Sequence, residues 1–259
     1  MKISIITVSF NSASTIRETL SSVAIQVYRN IEYIIVDGQS TDDTLKIIGE
    51  YRDLIDKIVS EPDIGIYHAM NKGINLATGN IIGFLNSDDV FYDEFVIEKI
   101  ANKFFEEVNL DAVYGDLLIC QKNNTNKVIR YWMPGQYLDG LSLKGWMPPH
   151  PTFYVKRDIL LKSQGFDLSY CYAADVDLMI RLFEIKKITA IYLPEILVKM
   201  RWGGATTGNI FNIIRGNLEA VNSIKKNGFN VSYLYIFRKV LLRIKQFFLR
   251  PNNKIKQIL

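Results

Sequence analysis

The chain has 259 residues, 48% of them hydrophobic and 22% charged, and a formal net charge of +4. That balance is ordinary for a folded protein, argues against disorder, and leaves room for one large domain or one domain with an appendage. The two cysteines, Cys120 and Cys171, have no zinc-ligand spacing and make no disulfide framework, which points to a reducing compartment.

Only Lys2 stands between the start and the apolar run Ile3–Val8, so no separate signal-peptide core is expected, and no uncharged stretch is long enough to span a bilayer. Residues 3–10 read as a strand buried on both faces. Thr15 and Glu18 predict a capping box for a helix carrying Ile16, Leu20, Val23, Ala24 and Val27 at helical spacing. Ile31–Val36 is the second strand. Ser40 with Asp43 predicts the cap of a helix whose apolar face is Leu45, Ile48 and Tyr51. Lys57–Ser60 follows as a strand, Tyr67–Ala77 as a helix and Asn80–Asn86 as a fourth strand. This alternation predicts an α/β fold with a Rossmann-like, mostly parallel central sheet covered by helices on both faces.

Farther on, a helix is expected over Asp93–Phe105, then strands near Asp111–Gln121 and Lys127–Met133 around a hairpin Asn123–Asn126. A proline-fixed loop, Trp146–Pro151, precedes a helix from Asp175 to Lys186, and residues 188–201 suggest one or two strands. From Asn209 onward the pattern is helical, so residues 1–208 are read as the main domain and 209–259 as a helical appendage. After Glu219 there is no acid and there are nine bases, whereas the rest of the chain has a net charge of −5. Within 231–250, Leu234, Phe237, Leu241, Ile244 and Phe248 form an apolar stripe, with Lys239, Arg243, Gln246 and Arg250 opposite and Arg238 and Lys245 flanking it. Such a segment suits an anionic membrane surface; the bland alternative is a helix packed on the body with a solvated basic face. No recognised nucleic-acid module accompanies the charge, so nucleic acid is not an expected partner.

Ligands of open parallel sheets bind beyond the carboxyl ends of the strands. Strand one ends in Thr7-Val8-Ser9-Phe10-Asn11, strand two in Asp37, and strand four in Asn86-Ser87-Asp88-Asp89. Adjacent carboxylates repel unless a cation neutralises them, and a hard divalent ion does so with few protein ligands and several phosphate oxygens. By residue type alone, Asp88 reads equally as a helix cap, Asp37 as a turn residue, and Asp175 as an N-cap. His150 suits a structural position as well as a metal or diphosphate contact. Arg201, before Gly203-Gly204, suits a diphosphate or a surface ion pair, and Trp146 and Trp202 suit core packing or stacking. His68 is read as structural. No Gly-x-Gly-x-x-Gly follows strand one and no Walker lysine motif is present, which argues against a dinucleotide dehydrogenase and an ATPase.

The ordered set Ser4–Asn11, Val36–Thr44, Asp63–Gly73, Leu85–Asp89 and Ala174–Leu178 resembles glycosyltransferase family 2, whose nucleotide-sugar domain is the GT-A fold. The match spans roughly residues 1–205, and Trp146–Pro151 with Arg201–Thr206 is similar to the subgroup of bacterial surface-polysaccharide (colanic acid/O-antigen type) assembly. The resemblance implies that Thr7 and Asp37 hold the donor's base and ribose, with Ser9 beside them. Asn86-Ser87-Asp88 takes the place of the family's Asp-x-Asp motif. Asp88 is then a metal ligand for Mn²⁺ or Mg²⁺, Asn86 and Ser87 face the donor, and Arg201 faces its diphosphate. Because the first acid is Asn86, one charge is lost, which Asp89 can restore; His150 is a further candidate ligand. Asp175 matches the second acid of the family's Glu-Asp pair, the first being Ala174, and is implied as the general base. Asp177, four residues before Arg181, is expected to form an intrahelical ion pair. The implied activity is inverting transfer from a UDP-sugar to a lipid-linked or glycan acceptor at the cytoplasmic face of the membrane. A sugar nucleotidyltransferase and a catalytically silent binding protein of the same fold are the alternatives.

Overall fold

A computed structural model of the chain describes residues 1–203, 210–232 and 234–248. The first half runs β1 (Ile3–Ser9), α1 (Ile16–Ala24), β2 (Ile31–Asp37), α2 (Thr44–Glu50), β3 (Lys57–Ser60), α3 (Ile66–Leu76) and β4 (Ile81–Phe84). The second runs β5 (Val90–Phe91), α4 (Val96–Glu106), β6 (Ala112–Gln121), β7 (Asn124–Trp132), β8 (Tyr154–Lys156), α5 (Arg157–Lys162), α6 (Ala174–Ile180), β9 (Ala190–Arg201), α7 (Ile210–Lys226) and α8 (Leu234–Lys245). One sheet takes the strands in the order β3-β2-β1-β4-β8-β6-β9-β5, with β7 paired to β6. The pairs among β1 to β4 are parallel, as the strand–helix alternation predicts. Beyond β4 the sheet is mixed: β8 runs antiparallel to β4 and β6, while β6 and β9 are parallel.

The continuous apolar run of β1 follows from burial on both sides. Ile3 and Ile5 face Ile16, Leu20 and Val23 of α1 and Ile97 and Ile100 of α4. Ile6 and Val8 face Ala69, Met70 and Ile74 of α3. At Gly73 a Cβ would lie 2.4 Å from Ile6 Cγ2, so only glycine lets α3 press this closely on β1. That contact fixes the helix that follows the Asp63 loop.

Glu32, buried in β2, is the polar knot of the opposite strand ends. Its carboxylate accepts from Ser4 Oγ (2.6 Å), Thr78 N (2.7 Å), Thr78 Oγ1 (2.7 Å) and Lys57 Nζ (3.0 Å). Burial alone would raise its pKa, but these donors hold it far below the usual carboxylate range. A depressed folded-state pKa means stability that is present above the unfolded value of about 4.3 and is lost as pH falls below it. Glu32→Ala, which strands these donors in the interior, is expected to cost about 3 kcal/mol or more in urea unfolding at pH 7 and to flatten the acid limb of the stability profile. An unchanged acid limb in that variant would place the acid sensitivity elsewhere.

Several local expectations are corrected. Neither proposed capping box forms: α1 and α2 make no side-chain cap bond at Thr15 or Asp43. Glu18 instead meets Arg201, Ser40 meets Asp37, and Asp42 accepts from Thr44 N. The hairpin is tighter than expected, because β7 begins at Asn124, paired with Gln121, and a bulge lies at Cys120. The helix expected from Asp93 starts at Val96, and the one expected to reach Lys186 changes at Arg181 into a single π turn, Arg181–Ile185.

The boundary expected at 208/209 lies outside the described residues, as do Gly204 and Arg250. α7 docks on the body, where Ala220, Val221 and Ile224 pack with Ala173, Val176 and Ile180 around α6. α8 lies with its polar side inward. Lys239 and Gln246 are buried, while Phe237 is 59% and Phe248 81% exposed, along with Leu234, Leu241 and Ile244. At Lys239 the basic side is therefore turned into the molecule, neither solvated, as the bland alternative has it, nor presented outward to an anionic surface. Among the described residues no helix is long and apolar enough to cross a membrane.

Candidate active site

The carboxyl ends of β1, β2 and β4 converge as the topology requires, and their polar side chains have distinct tasks. Asp37 is fully buried and accepts from Ser9 Oγ (3.0 Å), Ser40 N (2.8 Å) and Ser60 Oγ (2.8 Å). It ties the ends of β1, β2 and β3 together and folds the loop after β2. The same loop is held to β1 by Asn11, whose side chain accepts from Thr41 N at 2.8 Å. Thr7 is buried too, donating to Leu85 O at 2.7 Å and sharing a 3.0 Å bond with Tyr33 Oη. Its hydroxyl joins β1 to the loop after β4. Both residues thus shape the carboxyl-end rim of the sheet from within.

The loop Leu85–Asp89 carries the acid pair. Ser87 Oγ lies 2.8 Å from Ser12 Oγ, and Asn86 Nδ2 donates to Asp89 Oδ2 at 3.3 Å. Asn86 Oδ1 and Asp89 Oδ1 are buried acceptors with no hydrogen-bond partner. Burial raises the pKa of both aspartates, and Asp88 raises that of Asp89 further. An all-oxygen pair crowded in this way, with two buried acceptors vacant of donors, fits a hard divalent cation. Among the described residues no three His, Cys, Asp or Glu side chains gather into a complete cage, so such an ion would take further oxygens from its ligand.

Arg201 is placed differently from the expectation. Its buried guanidinium donates to Asp88 O (2.7 Å), Lys122 O (3.1 Å) and Glu18 (2.6 Å). It anchors the acid loop from behind instead of presenting its charge to a diphosphate. His150 is buried between Phe84 and Phe166, with ring centroids at 5.1 and 5.5 Å. Burial lowers its pKa against the pull of Asp175, so the imidazole is held neutral on the Asp175 side of the site. Trp146 donates to Pro134 O at 2.8 Å and packs on Tyr114, Tyr137 and Phe183, a core position.

Asp175 sits partly exposed in the first turn of α6. Its Oδ1 accepts from Tyr67 Oη at 3.2 Å and from Val176 N at 2.9 Å, leaving Oδ2 without either bond. Burial and the charge of Asp175 push the Tyr67 phenol well above its ordinary pKa, so it remains a donor. Asp177 forms the expected pair with Arg181 at 2.7 Å and also accepts from Ser223 Oγ and Asn227 Nδ2, locking α7 to α6.

Sequence reasoning assigned no role to Asp63, Lys72 or Tyr67. Lys72 Nζ lies 2.7 Å from Asp63, which also meets His68 at 2.9 Å and borders Gly38 beside the exposed ring of Phe10. The available signal was the segment Asp63–Gly73 itself, whose nine-residue Asp–Lys spacing wraps one loop back onto α3. Arg130 was given no role, and Lys239 and Arg243 were read as the outer polar side of an amphipathic helix, since nothing in the local pattern says that Lys239 faces inward.

An α/β sheet with acids after β4 and in the first turn of α6 fits a glycosyltransferase, and comparison with known proteins shows the family. The model of Glycosyl transferase family 2 matches residues 4–174, and the chain belongs to that family. A PGL/p-HBAD biosynthesis glycosyltransferase of Mycobacterium bovis (strain BCG / Pasteur 1173P2) is 30% identical over 210 residues, covering 80% of this chain and 79% of the relative. An uncharacterized glycosyltransferase of Rickettsia prowazekii (strain Madrid E) is 32% identical over 217 residues, with coverages of 80% and 66%. The fold is shared with S. aureus TarS 1-349 in complex with UDP-GlcNAc, at a TM-score of 0.67 and 18% identity over 100% of this chain and 76% of that one. It is shared also with the mannosyltransferase PcManGT from Pyrobaculum calidifontis in complex with GDP-Man and Mn²⁺, at a TM-score of 0.65 and 19% identity over 93% and 69%.

Proposed function

We propose that this glycosyltransferase moves a sugar, with inversion, from a nucleoside diphosphate donor to a hydroxyl of a lipid-linked or glycan acceptor in bacterial surface polysaccharide assembly. The observation that carries the reading is the crowded lip after β4, where buried acceptors of Asn86 and Asp89 lack partners and burial together with the charge of Asp88 raises the pKa of Asp89. Asp88 and Asp89, with Asn86 Oδ1, would hold Mn²⁺ or Mg²⁺, which when bound neutralises charge on the departing nucleoside diphosphate. Asp37, Ser9, Thr7 and Ser87 shape the donor side, and Arg201 holds the lip in place. On the other side, Tyr67 and Val176 N engage Asp175 Oδ1, and Oδ2 is left to take the proton of the attacking hydroxyl. A UDP-sugar is the favoured donor, in keeping with the UDP-GlcNAc bound by TarS, although PcManGT binds GDP-Man.

The test is donor hydrolysis and thermal protection over a panel of nucleotide sugars. Metal-stimulated release of nucleoside diphosphate supports the transferase. Release of pyrophosphate would indicate a nucleotidyltransferase, and no turnover of any donor would indicate a silent binding protein.

The outward apolar side of α8 supports a working place at the inner face of the cell membrane. Burying one phenylalanine is worth about 1.5–3 kcal/mol, or about tenfold in partitioning. Phe237→Ser combined with Phe248→Ser is therefore expected to weaken cosedimentation with phosphatidylglycerol vesicles at least about tenfold, at unchanged donor hydrolysis. Undiminished cosedimentation would move the membrane contact off this helix.

A further inference from the structure

The side of α8 that faces the protein carries charge where a packed helix would carry leucine. Lys239 is 8% exposed, and its Nζ has a 3.1 Å bond to Asn217 Oδ1. Arg243, one turn on, lies with its guanidinium 5.9 Å from the centroid of Trp132. Arg130 of β7 approaches the same ring at 5.3 Å and that of Phe247 at 5.7 Å. Arg130 is 7% exposed, and its Nε is buried without a hydrogen-bond partner, as is Gln246 Oε1. Among the described residues no carboxylate forms an ion pair with any of these three cations, yet Lys239 and Arg243 both feel the field of Asp175.

The arrangement is built in. A Cβ on Gly145 would lie 3.0 Å from the backbone of Lys239, so that glycine seats the helix, and Tyr131 N donates to Gln246 O at 3.1 Å to fasten its far end. Burial and the neighbouring Arg243 drive the Lys239 ammonium down to about 7, and burial with Arg243 lowers Arg130 to about 10. Two buried cations, Arg130 of β7 and Lys239 of α8, with the half-buried Arg243 repelling both, destabilise the free protein. Such a cluster makes physical sense where an anion completes it.

We propose that Arg130, Lys239 and Arg243 form a binding site for the phosphate group that links the acceptor sugar to its lipid. The inference rests on the proposed transfer to a lipid-linked acceptor, and it adds where that acceptor is held. A phosphate there sits beneath the outward apolar side of α8, from which a lipid chain can descend, and within the field of Asp175. The attached sugar is thereby delivered to the base.

The experiment measures binding of a short-chain prenyl diphosphate by tryptophan fluorescence, since Trp132 touches two of the cations, with Trp132→Phe as the control for signal origin. Wild type is expected to bind the diphosphate at least tenfold more tightly than the corresponding prenyl alcohol. Arg243→Met and Lys239→Met should each weaken diphosphate binding tenfold or more, while Lys239→Arg retains it. The melting temperature of Lys239→Met should hold or rise, because an uncompensated buried charge is removed. UDP affinity should be unchanged. The proposal is overturned if UDP binding falls in parallel, which would assign the cations to the donor, or if the neutral alcohol binds as well as the diphosphate. It is also overturned if the Met variants lose phosphatidylglycerol vesicle binding but keep the prenyl diphosphate, which would assign them to headgroups. Failure of wild type to turn over any nucleotide sugar would sink the transferase reading without altering these binding results.

Discussion

Asp88→Ala is expected to bind a nucleotide sugar no more tightly with Mn²⁺ than with a chelator. Asp88 is the one half-buried carboxylate of the lip, and its neighbour Asp89 is wholly buried behind it, so a cation arriving from solvent meets Asp88 first. With Asn86 in the position that usually carries an acid, no second exposed carboxylate on this loop replaces it. Removing it leaves only the buried Asp89 to balance a divalent charge, and the donor's diphosphate then faces the lip without enough positive charge to hold it. Isothermal titration with and without chelator checks this directly. Equal metal dependence in the variant and the wild type would relocate the cation. The folded state should not suffer, because removing Asp88 relieves the repulsion that raises Asp89, and Arg201 holds this loop through the main-chain oxygen.

For Asp175→Asn the expected result is the opposite split. Donor affinity persists and transfer turnover falls by about 10²-fold or more, the usual worth of a general base. An amide in this place can still accept from Tyr67 through its oxygen, so the local structure is preserved, but it has no basic oxygen left for the acceptor proton. Single-turnover transfer against donor-binding affinity separates the two effects. A fully active variant would shift the base elsewhere.

The sheet was legible wherever burial on both faces wrote continuous apolar runs, as in Ile3–Val8, Ile31–Val36 and Ile81–Leu85, and Asp37, Asp88 and Asp89 could be located because they follow such runs. The capping boxes were misread because Glu18 and Ser40 have stronger partners that lie far away in sequence, Arg201 and Asp37. Arg201 itself was assigned by its charge, whereas its carbonyl partners on the hairpin and the lip exist only after β9 has paired with β6. The helical stripe of α8 was correctly periodic. Periodicity states that two sides differ and not which one is covered, and in α8 the covered side is the one that carries Lys239 and Gln246.

The single guanidinium of Arg201 has a wider consequence. Hairpin tips are ordinarily the places where a chain is lengthened without penalty. Here the carbonyl of Lys122, at the tip between β6 and β7, is clasped by the same side chain that clasps Asp88 O and Glu18. A tip that looks peripheral is thus tied through one side chain to the loop that carries Asp88, so a change in its length would be felt there.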